Sequence, residues 1–205
     1  SECDWPTVHR DAARSGHSPC EVKPPAAEAW TKTWDGEMMA TRMEAIVADG
    51  KVFVGTYAGR MRALDARNGD EIWTFETDSQ AGIAHSPAVS DGVVVFGDVG
   101  GSIYGLDVDT GGQVWKFSGH GPGGFLTSPA IDNGRIYMGS QDGYFYALEL
   151  SSGAVAWEYQ TGSAILNSAA VRDGRVYVGT EDMHAYALEG DTGNLIWRSE
   201  KLNGV

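Results

Sequence analysis

Polar side chains that could bind a ligand recur at a fixed distance along this chain. An imidazole, a hydroxyl, an amide and a carboxylate occupy related positions of a repeat, where they can line one shared cavity. The register is spaced by 42, 42 and 40 residues and contains Met43, His85, Thr127 and Asn167, followed by Glu44, Ser86, Ser128 and Ser168. Glu44, His85, Thr127 and Asn167 are therefore our candidate channel-lining residues, with ordinary solvated side chains as the alternative.

The remaining reactive side chains form no catalytic or metal-binding pattern. The five histidines include no i, i+4 pair, and the sequence has neither a Gly-x-Ser-x-Gly elbow nor a Cys-His arrangement. The glycine-rich residues 118–127 lack the lysine of a phosphate loop. We therefore predict no catalytic residues and no metal site, and we assign no cofactor-binding residue.

One set of hairpins is predicted to form an acidic rim, but without the dense oxygen-ligand run of a calcium loop. Its members are Asp98, Asp142, Glu181 and Asp182. Met183 follows at a turn position that is glycine in the other copies of the repeat. This substitution predicts a hairpin of altered shape or under strain.

The candidate residues are positioned by a repeat whose copies each end on a tryptophan. The four closing segments are DARNGDEIW, DVDTGGQVW, ELSSGAVAW and EGDTGNLIW. Between them lie short β-branched runs joined by Asp-Gly and Asn-Gly turns, which favour hairpins. Each copy predicts four antiparallel strands, A to D, and four strands in about forty residues are typical of a β-propeller blade. The predicted blades span residues 43–77, 84–118, 126–160 and 166–200.

The segments from Ala63 to Trp73 and from Gly105 to Trp115 resemble the tryptophan-docking motif of pyrroloquinoline-quinone-type (PQQ-like) propellers. The third and fourth copies differ by Glu149 and Glu189 in place of aspartate. The resemblance covers residues 28–205 and implies an all-β fold of four-stranded antiparallel blades. It also implies that the docking tryptophans pack between neighbouring blades, where large aromatic side chains bury much surface. These tryptophans are Trp30, Trp73, Trp115, Trp157 and Trp197.

The blade count indicates an incomplete ring. Trp30 lies 14 residues before Glu44, much as Trp73 lies 13 before Ser86, so a lone D strand is predicted ahead of the first complete blade. Propellers of this family commonly have seven or eight blades, and four complete blades form only part of such a ring. We expect further C-terminal blades or a protein partner to complete it. Residues 1–27 are predicted to be a lead-in segment outside the blades.

Composition restricts the partners and the compartment. A net charge of −13 repels a phosphate backbone and argues against nucleic acid as a partner. Cys3 and Cys20 are the only cysteines, and a disulfide between them, or alternatively two free thiols, fits their spacing. With a start typical of a mature chain, the disulfide predicts export to the periplasm or beyond the cell. No apolar run reaches the roughly 18 residues of a membrane-spanning helix.

These observations favour a noncatalytic, exported binding or scaffold module, similar in kind to the BamB-like members of the family. One alternative is the N-terminal part of a PQQ-dependent quinoprotein oxidoreductase, which would use PQQ with calcium. Another is an extracellular sensor domain of a larger signalling protein. The adjacent-cysteine pair of the family's dehydrogenases is absent from this sequence, and we therefore predict no cofactor.

Overall fold

Four separate β-sheets, each of four antiparallel strands, make up the part of the chain that the computed structural model describes, which is residues 6–7 and 28–201. Blade 1 contains β1 (Ile46–Ala48), β2 (Lys51–Gly55), β3 (Arg60–Asp65) and β4 (Glu71–Glu76). Blade 2 contains β5 (Ala88–Ser90), β6 (Val93–Gly97), β7 (Ser102–Asp107) and β8 (Gln113–Ser118). Blade 3 contains β9 (Ala130–Asp132), β10 (Arg135–Gly139), β11 (Tyr144–Glu149) and β12 (Val155–Gln160). Blade 4 contains β13 (Ala170–Arg172), β14 (Arg175–Gly179), β15 (Ala185–Glu189) and β16 (Leu195–Arg198).

The strand order within every sheet follows the sequence, so each blade is a simple meander. A 3₁₀ turn, Asp78–Gln80, lies between blades 1 and 2. The predicted all-β fold of four-stranded antiparallel blades is confirmed, and the ring is not closed. Cys3 and Cys20, and with them the predicted disulfide, lie outside the described residues. Within the described residues, no helix is long and apolar enough to cross a membrane.

Tight turns set the register of the first two strands in each blade. Asp49 has φ +51° and is followed by Gly50 at φ +71°, and the equivalent Asp-Gly and Asn-Gly pairs adopt the same conformation. Two consecutive positive φ values match the right-handed twist of a hairpin, and Asp, Asn and Gly tolerate them best. The result is the same antiparallel pairing in all four blades.

The hydrophobic core lies between the blades and consists of three clusters. One joins blades 1 and 2 around Phe53 and Phe96, one joins blades 2 and 3 around Phe125, and one joins blades 3 and 4 around Phe145. The innermost strands β1, β5, β9 and β13 contact one another in sequence order. Because each sheet buries its faces against its neighbours, a blade at an open end leaves one face uncovered.

A tryptophan on the outermost strand reaches from each of the first three blades to the next one. The indole Nε1 of Trp73 donates to Val108 O at 3.1 Å, that of Trp115 to Leu150 O at 2.8 Å and that of Trp157 to Gly190 O at 2.7 Å. In each case the indole also covers a glycine of the same turn, so that an added Cβ would lie 2.6 Å from the ring. These glycines are Gly111, Gly153 and Gly193. All three have φ between +66° and +72°, so other residues are excluded by conformation and by space.

The predicted D strand around Trp30 is the element that differs from expectation, since residues 28–34 form no strand. A strand requires a hydrogen-bonding partner, and the described part of the chain offers no strand C ahead of it. The side chain nevertheless makes the same contact as the other tryptophans. Trp30 Nε1 donates to Ala66 O at 3.1 Å, and the indole lies over Gly69.

The indole contact predicts unequal costs for two chemically identical substitutions. Trp115 is 6 % exposed and Trp197 is 45 % exposed. We expect Trp115→Ala to lower the free energy of unfolding by about 3–5 kcal/mol, because it empties a buried site. We expect Trp197→Ala to cost about 1 kcal/mol or less, as exposed substitutions do. Urea unfolding of both variants measures the difference, and equal losses would contradict this assignment of the contacts.

Candidate functional site

A pocket at the junction of blades 1 and 2 contains His85, one of the predicted ligand positions. Its volume is about 360 Å³, and it lies beside the hairpin after β2 and the segments that lead into β1 and β5. The lining residues are Thr41, Arg42, Tyr57, Ala84, His85, Val99 and Leu126. A guanidinium, an imidazole and a phenol in one cavity can together hold an anionic or hydrogen-bonding group.

The electrostatics of this pocket disfavour the protonated form of its histidine. Burial, followed by the positive charge of Arg42, lowers the pKa of His85 below its ordinary value. Arg42 makes no ion pair with any residue that the structure describes, and Tyr57 is half exposed. The sequence did not single out Arg42 or Tyr57, because neither belongs to the repeating polar register.

The structure brings only one of the four candidate channel residues into this pocket. Glu44 and Asn167 are exposed, and neither lines the cavity. Thr127 is buried, and its hydroxyl donates to Gly139 O at 3.0 Å. Of the four candidates, His85 is the one that lines this pocket, and the other three remain predicted channel-lining positions.

The serines that follow in the same register join one blade to the next. Ser86 Oγ accepts a hydrogen bond from the backbone N–H of Glu44 at 2.6 Å, and Ser168 Oγ accepts one from the backbone N–H of Ser128 at 2.8 Å. Buried backbone donors need such partners. Polar residues at this position therefore satisfy the backbone between blades.

Part of the lead-in segment lies against the inner strands. The carbonyl of Pro6 accepts a hydrogen bond from Val89 N in β5 at 2.7 Å. Thr7 is buried, and its hydroxyl donates to Pro129 O just before β9. These two residues use hydrogen-bonding groups at the inner edge of blades 2 and 3 that a channel ligand could otherwise contact.

Three of the four predicted rim carboxylates, those of Asp98, Asp142 and Asp182, accept hydrogen bonds from protein donors, and Glu181 is exposed. Asp98 is buried, and its two oxygens accept bonds from Ser102 N at 2.8 Å and from the Tyr104 hydroxyl at 3.2 Å. Burial raises the pKa of Asp98, although these same bonds oppose the rise. The two Asp142 oxygens similarly accept from Tyr144 N at 2.9 Å and from the Tyr146 hydroxyl at 2.7 Å.

Asp98 and Asp142 are each turned into their own hairpin by these bonds, and two such carboxylates fall short of the six to eight oxygen ligands that calcium takes. Among the described residues, no group of three or more His, Cys, Asp or Glu side chains is placed to hold a metal ion. Met183 keeps the turn conformation of the glycines that it replaces, with φ +68°. The hairpin therefore retains its shape and bears the strain of a left-handed methionine, about 1–2 kcal/mol.

A buried ion cluster that the repeat pattern did not reveal fixes the segment before β1 to blade 1. Glu37 Oε1 lies 2.6 Å from both Arg60 and Arg62, and Arg62 also contacts Glu71 at 2.7 Å. Burial alone would raise the pKa of Glu37, but hydrogen bonds from Arg60 and the nearby Arg62 lower it overall. Arg62 of blade 1 aligns in the repeat with Tyr104 of blade 2. This departure from the repeat was the sequence signal for the ion cluster.

Known proteins built from blades of this kind are similar to this chain in sequence or in structure. A family model described as outer membrane protein assembly factor BamB matches residues 22–130 and 100–204. The crystal structure of BamB from Moraxella catarrhalis superposes with a TM-score of 0.68 and 26% identity, covering 77% of this chain and 49% of that one. No match was found among curated proteins.

Two enzyme structures share the fold. Quinohemoprotein alcohol dehydrogenase from Comamonas testosteroni superposes with a TM-score of 0.84 at 19% identity, covering 97% of this chain and 41% of the enzyme. A europium-containing methanol dehydrogenase superposes with a TM-score of 0.69 at 18% identity, covering 76% of this chain and 40% of that one. At these identities the likeness concerns the fold alone. The chain spans half or less of the length of all three proteins.

The lowered pKa of His85 predicts a loss of stability in mild acid. As the pH falls below the ordinary histidine value of 6.5, the unfolded chain takes up the proton before the folded one does. The folded state is therefore favoured above this value and loses stability below it. Urea unfolding at about pH 7.5 and at about pH 5.5 gives the loss of unfolding free energy on acidification. We expect this loss to be smaller for His85→Gln than for the parent protein.

Arg42→Ala is the matched variant, because it removes the nearby charge and keeps the imidazole. Its loss should fall between those of the parent and His85→Gln. An identical pH dependence in all three proteins would refute the assignment of His85 as a neutral, desolvated group.

Proposed function

The chain belongs to the BamB-type family of PQQ-like β-propellers, and we propose that it is a noncatalytic, exported binding or scaffold module. The description of the family as an outer membrane protein assembly factor supports both the export and the scaffold role. The surface that would receive its partner is the face of blade 4 that points away from blade 3. It is made by β14, which ends at Gly179, and by β16. We call this surface the blade 4 face.

The observation that carries the proposal is the uncovered state of the blade 4 face within the described residues. Trp197 is 45 % exposed, whereas its equivalents Trp73, Trp115 and Trp157 are 6–8 % exposed. An apolar side chain of this size that is buried at the other three junctions and exposed here is characteristic of an interaction surface.

A glycine on the same face supports this interpretation. In blade 3, an added Cβ on Gly139 would lie 2.2 Å from Ile165, which comes from the segment leading into blade 4. Gly55 and Gly97 are covered in the same way by Ile83 and Phe125. At Gly179 the nearest atom is a backbone oxygen of the same hairpin at 4.0 Å. The blade 4 face thus has space for an apolar side chain of a further blade or a protein partner.

The alternative enzymatic role is favoured by one observation, the superposition of nearly the whole chain on quinohemoprotein alcohol dehydrogenase. Several features count against it. The acidic side chains of Asp98 and Asp142 are engaged by hydroxyl and backbone donors, and Thr127 and the channel serines bond to the backbone. Polar groups that remain available, such as Arg42 and His85, suit recognition better than the binding of a divalent cation.

The proposal is tested with the full natural protein that contains this chain. We expect no increase in quinone absorbance and no dye-linked alcohol oxidation after incubation with PQQ and calcium. We also expect envelope proteins to co-purify with it, and Trp197→Ala to reduce their yield if blade 4 is the partner surface. Val114→Ala, at an exposed apolar position on the outer strand of blade 2, is the matched control. Calcium-dependent quinone uptake with alcohol oxidation would refute the scaffold role.

A further inference from the structure

At the junction between blades 3 and 4, three side chains of blade 3 bind one turn of blade 4, and we call this arrangement the grip. Trp157 Nε1, the Tyr137 hydroxyl and an Arg135 N–H all donate to the carbonyl of Gly190, at 2.7, 3.2 and 3.1 Å. Arg135 also lies 3.0 Å from the carboxylate of Asp191. The turn is therefore held by its carbonyl and by its acidic side chain at once.

The first residue of this turn is a glycine, which leaves room for the tyrosine hydroxyl. An added Cβ on Gly190 would lie 3.2 Å from the Tyr137 hydroxyl oxygen, so a larger residue would displace it. At the two earlier junctions the phenol is absent, because Phe53 and Val95 occupy the equivalent position, and the turn residue is the larger Val108 or Leu150. The tyrosine and the glycine thus occur together.

The turn also carries an acidic residue where the second strand of the preceding blade begins with a basic one. Lys51 of blade 1 contacts Asp109 of blade 2 at 2.8 Å, just as Arg135 contacts Asp191. At the junction of blades 2 and 3, both positions are uncharged, Val93 and Ser151. A basic residue at the start of this strand is therefore paired with an aspartate in the next turn.

Blade 4 carries the same grip on its open face. Arg175, Tyr177 and Trp197 lie 40 residues after Arg135, Tyr137 and Trp157. The rings of Tyr177 and Trp197 are 6.2 Å apart and inclined by 43°, against 5.9 Å and 46° for Tyr137 and Trp157. Arg175 is exposed and makes no ion pair within the described part of the chain. The two rings already have the arrangement of the occupied grip, and Arg175 stands at the sequence position of Arg135.

We propose that Arg175, Tyr177 and Trp197 form a recognition site for one kind of turn, Gly-Asp-x-Gly, on a further PQQ-type blade. The first glycine leaves room for the Tyr177 hydroxyl, the aspartate pairs with Arg175, and the last glycine receives the Trp197 indole. This inference rests on the proposed function, in which the blade 4 face is the attachment surface, and it names the chemistry of the partner.

Two features of blade 1 argue against a second copy of this chain as the occupant. The equivalent turn reads Ala66-Arg67-Asn68-Gly69, which places Arg67 opposite Arg175 with like charge. Trp30 already covers Gly69, with ring atoms 2.7 Å from where a Cβ would be. The grip therefore favours a further blade over head-to-tail association of copies.

The chain itself supplies a probe with the required turn. Residues 161–205 are appended after Glu200 of the chain, which keeps the 40-residue spacing and presents a second copy of the Gly190-Asp191-Thr192-Gly193 turn to the grip. The appended copy carries Trp197→Phe, because both blades would otherwise release the same tryptic peptide, residues 176–198. Hydroxyl-radical footprinting with mass spectrometry then measures the oxidation of the original Trp197 alone. We expect oxidation to fall about fivefold, in line with a change in exposure from 45 % to the 8 % of Trp157.

A charge exchange separates the grip from general apolar burial. Asp191→Lys in the appended copy should restore most of the oxidation of Trp197, and Arg175→Asp in the original blade should protect it again. Glu181→Lys in the appended copy is the control, because this exposed residue lies on the other hairpin. It should leave the protection unchanged.

Three results would overturn the inference. These are no protection of Trp197 by the unmodified appended copy, full protection by the Asp191→Lys copy, or protection in the original chain that grows with its concentration and so shows self-association. None of them bears on quinone binding, which is the test of the scaffold role, so the two proposals fail separately.

Discussion

The indole of one blade lying on a left-handed glycine of the next is the interaction on which the architecture depends. Trp73, Trp115 and Trp157 each cover a glycine whose φ and whose lack of a side chain are both required. The Nε1–H of each indole is satisfied by a carbonyl in the same turn, so that burying it leaves no unpaired donor. A blade therefore becomes fully buried only when its successor is present, and blade 4 is described without one.

This dependence organises the polar residues as well. The serines at the inner strands bond to the backbone of the preceding blade, and Lys51 and Arg135 reach acidic turns of the following one. Ser86 and Ser168, at the channel-side register of the repeat, thus serve the junctions between blades. Among the described residues, the groups that remain available include Arg42 and His85 in their pocket and Trp197 on the blade 4 face, and the proposed recognition role rests on them.

The blades were predictable from sequence because each depends on local signals repeated four times. Asp-Gly and Asn-Gly turns, alternating strands and the closing tryptophan act within about forty residues. The contacts between blades were less accessible. Thr127 and Ser86 look like ligand residues in an alignment, and only the neighbouring backbone shows that they are engaged. Trp30 keeps its contact without its strand, because the indole needs only the Gly69 turn, whereas a strand needs a partner. The pairing of Tyr137 with Gly190 became visible as a rule only once the structure placed them together.

Hydrogen exchange of the indole Nε1–H groups, followed by NMR of the chain, tests the central claim most directly. The account predicts slow exchange for Trp73, Trp115 and Trp157, which donate to turn carbonyls of the next blade, and also for Trp30, which donates to Ala66 O. It predicts fast exchange for Trp197. Slow exchange of Trp197 at the level of Trp157 would contradict it, and so would fast exchange of all five.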